Sequence, residues 1–143
     1  MKRFVVDASV AAKWLVPEDF TPQALTLLRG AETMFAPAHW LAKAANTLWA
    51  KFAVRGDLSR AEMLERIAAL AEARVISTPV ASMLPKAAAI AADLRLTVYD
   101  SLYLALAEQQ ELAFITADRK LFARTRDTKH EAATRWLGDF AAS

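Results

Sequence analysis

Short apolar runs alternating with helix-length amphipathic stretches predict an α/β fold, with a mainly parallel central sheet and helices on both faces. Two further observations support that class. Of 143 residues 55% are apolar and none is Cys, so one core can stabilise a single domain over residues 1–143 without disulfides or structural zinc. The three glycines, Gly30, Gly56 and Gly138, each fall where an element is expected to stop.

Taken in order, Phe4-Val5-Val6 is a buried-strand run, and Asp7 stands where the helix Ala8 to Leu15 would be capped. Thr21 caps and Pro22 opens a second helix that ends at Gly30. Met34-Phe35-Ala36 is a short strand before Pro37. From Ala38 to about Val54, Trp40, Leu41, Ala44, Ala45, Leu48, Trp49 and Phe52 recur at steps of three and four, so they line the apolar face of a helix. His39, Lys43 and Asn46 share its narrower polar face. Ser59 and Glu62 form a capping box for a helix to about Ala73, with a Glu62–Arg66 pair one turn apart. Val75-Ile76-Ser77 is a strand, and helical pattern returns from about Ala81 to Asp93 and from Asp100 to Gln110. Ala113 to Thr116 is the strongest strand after the first, followed by a helix from Asp118 to Arg124. The tail, Arg126 to Phe140, reads either as a helix or as a loop with a last short strand at Trp136-Leu137.

Several mechanisms drop out on residue type. Without Cys there is no thiolate nucleophile or thiolate metal site, and three isolated glycines build no phosphate-cradling loop. No Gly-x-Ser-x-Gly elbow is present. The carboxylates remain. Asp7 follows the first strand, Asp118 follows the strand ending at Thr116, and Asp100 opens a helix after a short apolar stretch. Carboxyl ends of parallel strands share one edge of the sheet, where ligands bind, so these acids could converge. Each taken alone is equally a helix N-cap. Gathered together with the hydroxyls of Ser9 and Thr116, three like charges would need a compensating hard cation such as Mg²⁺ or Mn²⁺. Such a centre can orient an attacking water and stabilise the oxygens of a phosphodiester.

Four blocks carry a resemblance over essentially the whole chain. They are Val6-Asp7-Ala8-Ser9-Val10-Ala11-Ala12-Lys13-Trp14 with Pro17-Glu18; Ala45-Asn46-Thr47-Leu48-Trp49; Val98-Tyr99-Asp100-Ser101-Leu102-Tyr103-Leu104-Ala105-Leu106-Ala107; and Ile115-Thr116-Ala117-Asp118-Arg119-Lys120-Leu121. Together they resemble PIN-domain proteins of the VapC toxin type. The resemblance implies a PIN-like three-layer α/β/α sandwich and a Mg²⁺- or Mn²⁺-dependent endoribonuclease. It also implies a VapB-type antitoxin partner and a homodimer. On that basis Asp7, Asp100 and Asp118 would bind metal and activate water, Thr116 would assist through its hydroxyl, and Ser9 and Asn46 would support the site.

One position departs from the pattern. Three residues before Asn46 the family usually carries a Glu ligand, and this chain has Lys43. The ammonium either sits among the three acids in place of the metal or swings to solvent on its flexible stem. The first arrangement is the one expected, with a metal-poor and nearly inactive nuclease as the result. An inert PIN-fold module kept for antitoxin binding and assembly is the rival reading. A phosphoacceptor receiver domain is excluded, because Ala8 stands where the second of its paired acids belongs.

The formal charge of +2 adds little about RNA, since a Glu at position 43 would leave 17 basic and 17 acidic residues and no net charge. Local charge matters more: Arg119, Lys120 and Arg124 follow Asp118 closely and are candidates for RNA phosphates. Asp7 interrupts the N-terminal apolar run too early for a signal sequence or membrane span, and the absence of Cys fits a reducing compartment, so the cytoplasm is the expected location.

Overall fold

The computed structural model describes residues 1–142 and centres on five parallel strands. They are β1 (Arg3–Val6), β2 (Thr33–Pro37), β3 (Val75–Thr78), β4 (Phe114–Thr116) and β5 (Thr134–Trp136). The helices are α1 (Ala8–Ala12), α2 (Thr21–Gly30), α3 (Trp40–Ala53), α4 (Arg60–Ala71), α5 (Leu84–Leu94), α6 (Val98–Gln110) and α7 (Arg119–Thr125). The α/β class read from the sequence is the observed one, and the tail resolves into β5 followed by a 3₁₀ turn at Leu137–Asp139.

Strand order β3-β2-β1-β4-β5 makes β1 the pivot. The chain steps outward from β1 through β2 to β3, then returns to the other side of β1 for β4 and β5. Where the direction reverses, the helices leaving β1 and β4 diverge and open a crevice at the carboxyl ends of those two strands. Register locks the edge: Val6 lies beside Ile115, and Thr116 beside Trp136. Phe4, Val5, Val6, Phe114 and Ile115 are fully buried, as parallel strands covered on both faces should be. On one side α6 rests on β1, β2 and β4, with α5 packed against it. Its residues Ser101 to Ala107 are all buried, so it has no solvent face through that stretch. α1 packs against β4 and α3, and α4 folds back along α3.

Local signals account for most helix ends. Ser59 and Glu62 make both bonds of the capping box that starts α4. Two expected starts differ. Thr21 is the first helical residue of α2 and not its cap; its hydroxyl donates to the Val16 carbonyl and accepts from the Glu18 amide, while Phe20 precedes it in a left-handed conformation. α6 starts at Val98, capped by the Thr97 hydroxyl, so Asp100 is its third residue and not its opening one. Gly138 also differs from expectation: a Cβ there would collide with the Trp136 indole, so close packing explains it.

A second charged cluster ties the end of α1 to α3. Lys51, in the last turn of α3 and 6% exposed, donates to Glu18 Oε2, and Lys13 Nζ reaches Glu18 Oε1 at 3.1 Å. Burial works against the Glu18 carboxylate, yet the two lysines outweigh it and hold its pKa below the ordinary value.

Candidate active site

Three of the elements meeting at the crevice deliver an acid. Asp7 is the first residue after β1. It occupies the cap position of α1, but its carboxylate makes no capping bond and is 6% exposed. Ser9 Oγ donates to Asp7 Oδ2 at 2.8 Å, and Thr116 Oγ1, at the end of β4, donates to the same oxygen at 2.6 Å. Each hydroxyl also accepts a backbone N–H: Ala117 to Ser9 at 3.1 Å, and Asp118 to Thr116 at 3.0 Å. Two short relays thus run from the β4–α7 junction to one carboxylate oxygen, and polarisation along each strengthens its bonds. Asp118 does cap α7, its Oδ1 accepting the Leu121 amide at 3.1 Å.

Electrostatics place the acids around a common space. Burial is the main reason the Asp7 pKa is pushed up to about 6; the Thr116 and Ser9 hydrogen bonds oppose it, and the charges of Asp100 and Asp118 add to it. Asp100 is also raised, first by burial and then by Asp118. These are oxygen donors of a kind that suits a hard divalent cation, and their mutual repulsion is what a cation would relieve. As placed, no three of the described His, Asp or Glu side chains close into a metal-holding group. The site is an open set of carboxylates.

Lys43 does not enter that set. Its side chain is exposed and forms no ion pair among the described residues, and the ammonium stands 5.8 Å from the centre of the Tyr99 ring. The arrangement with the ammonium seated among the three acids is therefore not the one observed. Its charge still reaches the site, lowering the Asp100 pKa against the opposing effects of burial and Asp118. Asn46, one turn further along α3, is exposed as well.

The three basic candidates divide. Lys120 lines a cleft of about 70 Å³ together with Arg95, Thr97, Asp100 and Asp118. Arg119 lies over Trp136, 4.9 Å from the ring centre, and 6.0 Å from that of Phe20. Arg124 is engaged structurally, donating to the carbonyls of Leu94 and Arg95 and so closing the C-terminus of α5.

Residues not singled out from the sequence also border the acids. Tyr103 is fully buried, with a hydroxyl that makes no good hydrogen bond, and its pKa is raised by burial and by the nearby charges of Asp7 and Asp100. His39 packs edge-on against Tyr103, and its pKa is lowered by burial and by Lys43. Arg95 ends α5 in a left-handed conformation at the cleft. Only the i, i+4 spacing of Tyr99 and Tyr103 around Asp100 hinted at any of this.

Comparison with known proteins adds the family. The model of the PIN domain matches residues 4–138. A curated protein from Pyrobaculum aerophilum, Ribonuclease VapC3, is 36% identical over 122 residues, spanning 83% of this chain and 92% of that one. Among solved structures, PAE2754 from Pyrobaculum aerophilum superposes with a TM-score of 0.66 at 22% identity, covering 96% of this chain and 92% of its own. A toxin-antitoxin complex from Klebsiella pneumoniae does so with a TM-score of 0.64 at 14% identity, covering 94% and 97%. Both structures share the fold of this chain.

Proposed function

Because the chain belongs to the PIN-domain family, we propose that it is a metal-dependent endoribonuclease of the VapC toxin type. The observation that carries this reading is the gathering of Asp7, Asp100 and Asp118 at the reversal point of the sheet, close enough that each raises the cost of ionising another. Asp7, Asp100 and Asp118 would hold Mg²⁺ or Mn²⁺, which when bound supplies charge neutralisation and an acidified water.

The protein's own groups do the positioning. Ser9 and Thr116 fix one oxygen of Asp7 and leave the other uncommitted. Thr116 couples Asp7 to the backbone of Asp118, so the acids on β1 and α7 move as one unit. Capping commits one oxygen of Asp118 and leaves its second for a ligand. Lys120 and Arg95, at the cleft beside Asp100 and Asp118, are placed to receive RNA phosphates. Arg119, held on Trp136, is a rim contact, and Arg124 acts through α5.

Lys43 impairs this site by proximity. A cation beside Asp100, in place of a carboxylate ligand, subtracts attraction for the metal on both counts. The test is Lys43→Glu against the unaltered chain, by Mn²⁺ titration and by cleavage of a mixed RNA. The variant is expected to bind metal at least about tenfold more tightly and to cleave faster; equal affinity and equal cleavage would sink the impairment.

Partner binding belongs to the same proposal. An apolar groove of about 180 Å³ lined by Trp14, Leu15, Leu28, Leu70 and Ala73 supports a site for a VapB-type antitoxin. Exposed Trp49, Val54 and Leu64 on the α3–α4 pair support a homodimer. No helix among the described residues is long and apolar enough to cross a membrane, which accords with the proposed cytoplasmic location.

A further inference from the structure

Tyr99 is 60% exposed, immediately before Asp100 in the first turn of α6. An aromatic side chain so open is normally mobile, but this one ends a column of rings. Phe114 on β4 stacks with the buried Tyr103 at 5.4 Å; Tyr103 meets His39 at 5.2 Å; His39 meets Tyr99 at 5.9 Å. The column runs from the centre of the sheet to the surface beside the acids, and gives the outermost ring a rigid backing. Lys43 adds a positive charge at its edge that no carboxylate of the described residues takes up.

We propose that Tyr99 and Lys43 form a nucleotide subsite of the RNA channel, in which the Tyr99 ring stacks on a base next to the cleavage point and the Lys43 ammonium takes that nucleotide's phosphate. The inference rests on the ribonuclease reading. It assigns position 43 a role in holding RNA and gives Tyr99 one in choosing which bases lie beside the acids. An exposed, preorganised ring suits any base, because every base offers a π-face, with purines favoured by their larger area. The nearby unpaired cation supplies the electrostatic share that a single strand requires.

The experiment measures binding of a short single-stranded RNA carrying 2-aminopurine, in EDTA so that metal and cleavage play no part. The unaltered chain should bind and quench the 2-aminopurine. Tyr99→Ala should weaken binding by about 5- to 150-fold and abolish the quench, while Tyr99→Phe should retain both, since stacking needs the ring and not the hydroxyl. Lys43→Ala should flatten the salt dependence by about 0.7 in log–log slope, the loss of one phosphate contact. Circular dichroism and thermal melting of the variants show that they remain folded. If the unaltered chain binds RNA and Tyr99→Ala binds it equally well, the subsite is wrong and Tyr99 serves a protein interface. An unaltered chain that binds no RNA overturns the ribonuclease reading and the subsite with it.

Discussion

The molecule buries charge in two places and treats it in opposite ways. At the end of α3, Glu18 lies between Lys13 and Lys51, and its pKa falls despite burial. At the carboxyl edge of the sheet, Asp7 is buried with Asp100 and Asp118 for neighbours, and its pKa rises to about 6. In the first cluster the countercharge belongs to the fold, so the cluster holds elements together. In the second, hydroxyls and amides orient the carboxylate but supply no cation, and the unbalanced charge is an affinity for something from outside. Desolvated charge alone says little about role; whether its partner is covalently part of the chain says more.

Breaking the compensated cluster should have the largest effect. Glu18→Gln leaves Lys51 buried against Lys13 with no anion between them, and urea denaturation should show a loss of about 2 to 3 kcal/mol, somewhat below the figure for a fully buried pair because the Glu18 side chain remains 26% exposed. Lys51→Met, which keeps the volume and leaves Glu18 its second lysine, should stay within about 1 kcal/mol. A larger loss for the methionine variant than for the glutamine variant would reverse the assignment of the lysines as countercharge.

The uncompensated cluster should respond in the other direction. Asp7 binds its proton more tightly in the folded chain, with a pKa of about 6 against an ordinary 3.8, so its contribution to stability is greatest below 3.8 and is lost as the pH rises through 6. Asp7→Asn keeps an oxygen for Ser9 and Thr116 and removes the charge. Thermal and urea unfolding should find it more stable than the unaltered chain by about 2 to 3 kcal/mol near pH ~8, with the difference gone near pH ~4. RNA cleavage should be lost by more than about a hundredfold. A variant less stable at the higher pH would show that the carboxylate is already compensated.

The smallest effect sharpens the same contrast. Tyr103 brings a buried hydroxyl without a good partner to the edge of the acid cluster, so in metal-free protein Tyr103→Phe should gain about 0.5 to 1 kcal/mol. A loss of stability would reveal a hydrogen bond to the nearby Ala8 amide.

Much of this was legible beforehand, for identifiable reasons. Strand ends are marked by the change from apolar runs to capping residues, so Asp7, Thr116 and Asp118 could be assigned to one edge of a sheet from their junctions alone. The capping boxes and helix stops are equally local. What escaped depends on long-range packing. Lys51 reads as an ordinary last-turn cation, and only the fold brings it to Glu18, thirty-three positions earlier. Arg124 carries the same signal as a phosphate-binding arginine but spends its donors on the end of α5. Lys43 was correctly located on the helix face toward the acids, yet its flexible stem let the ring of Tyr99 determine where the charge rests.

The parallel pairing of β1 with β4 has a temporal consequence. Asp7 receives its Thr116 hydrogen bond across 109 positions of chain. During synthesis the first acid emerges almost at once, but the hydroxyl that orients it and the acid that completes its surroundings emerge near the end. Non-local parallel pairing also forms late, because the whole intervening loop must be ordered first. A nascent or truncated chain lacking β4 therefore holds one acid without its fellows. Catalytic competence becomes a property of the finished polypeptide, and the ribosome that makes it is the last RNA machine to meet it harmless.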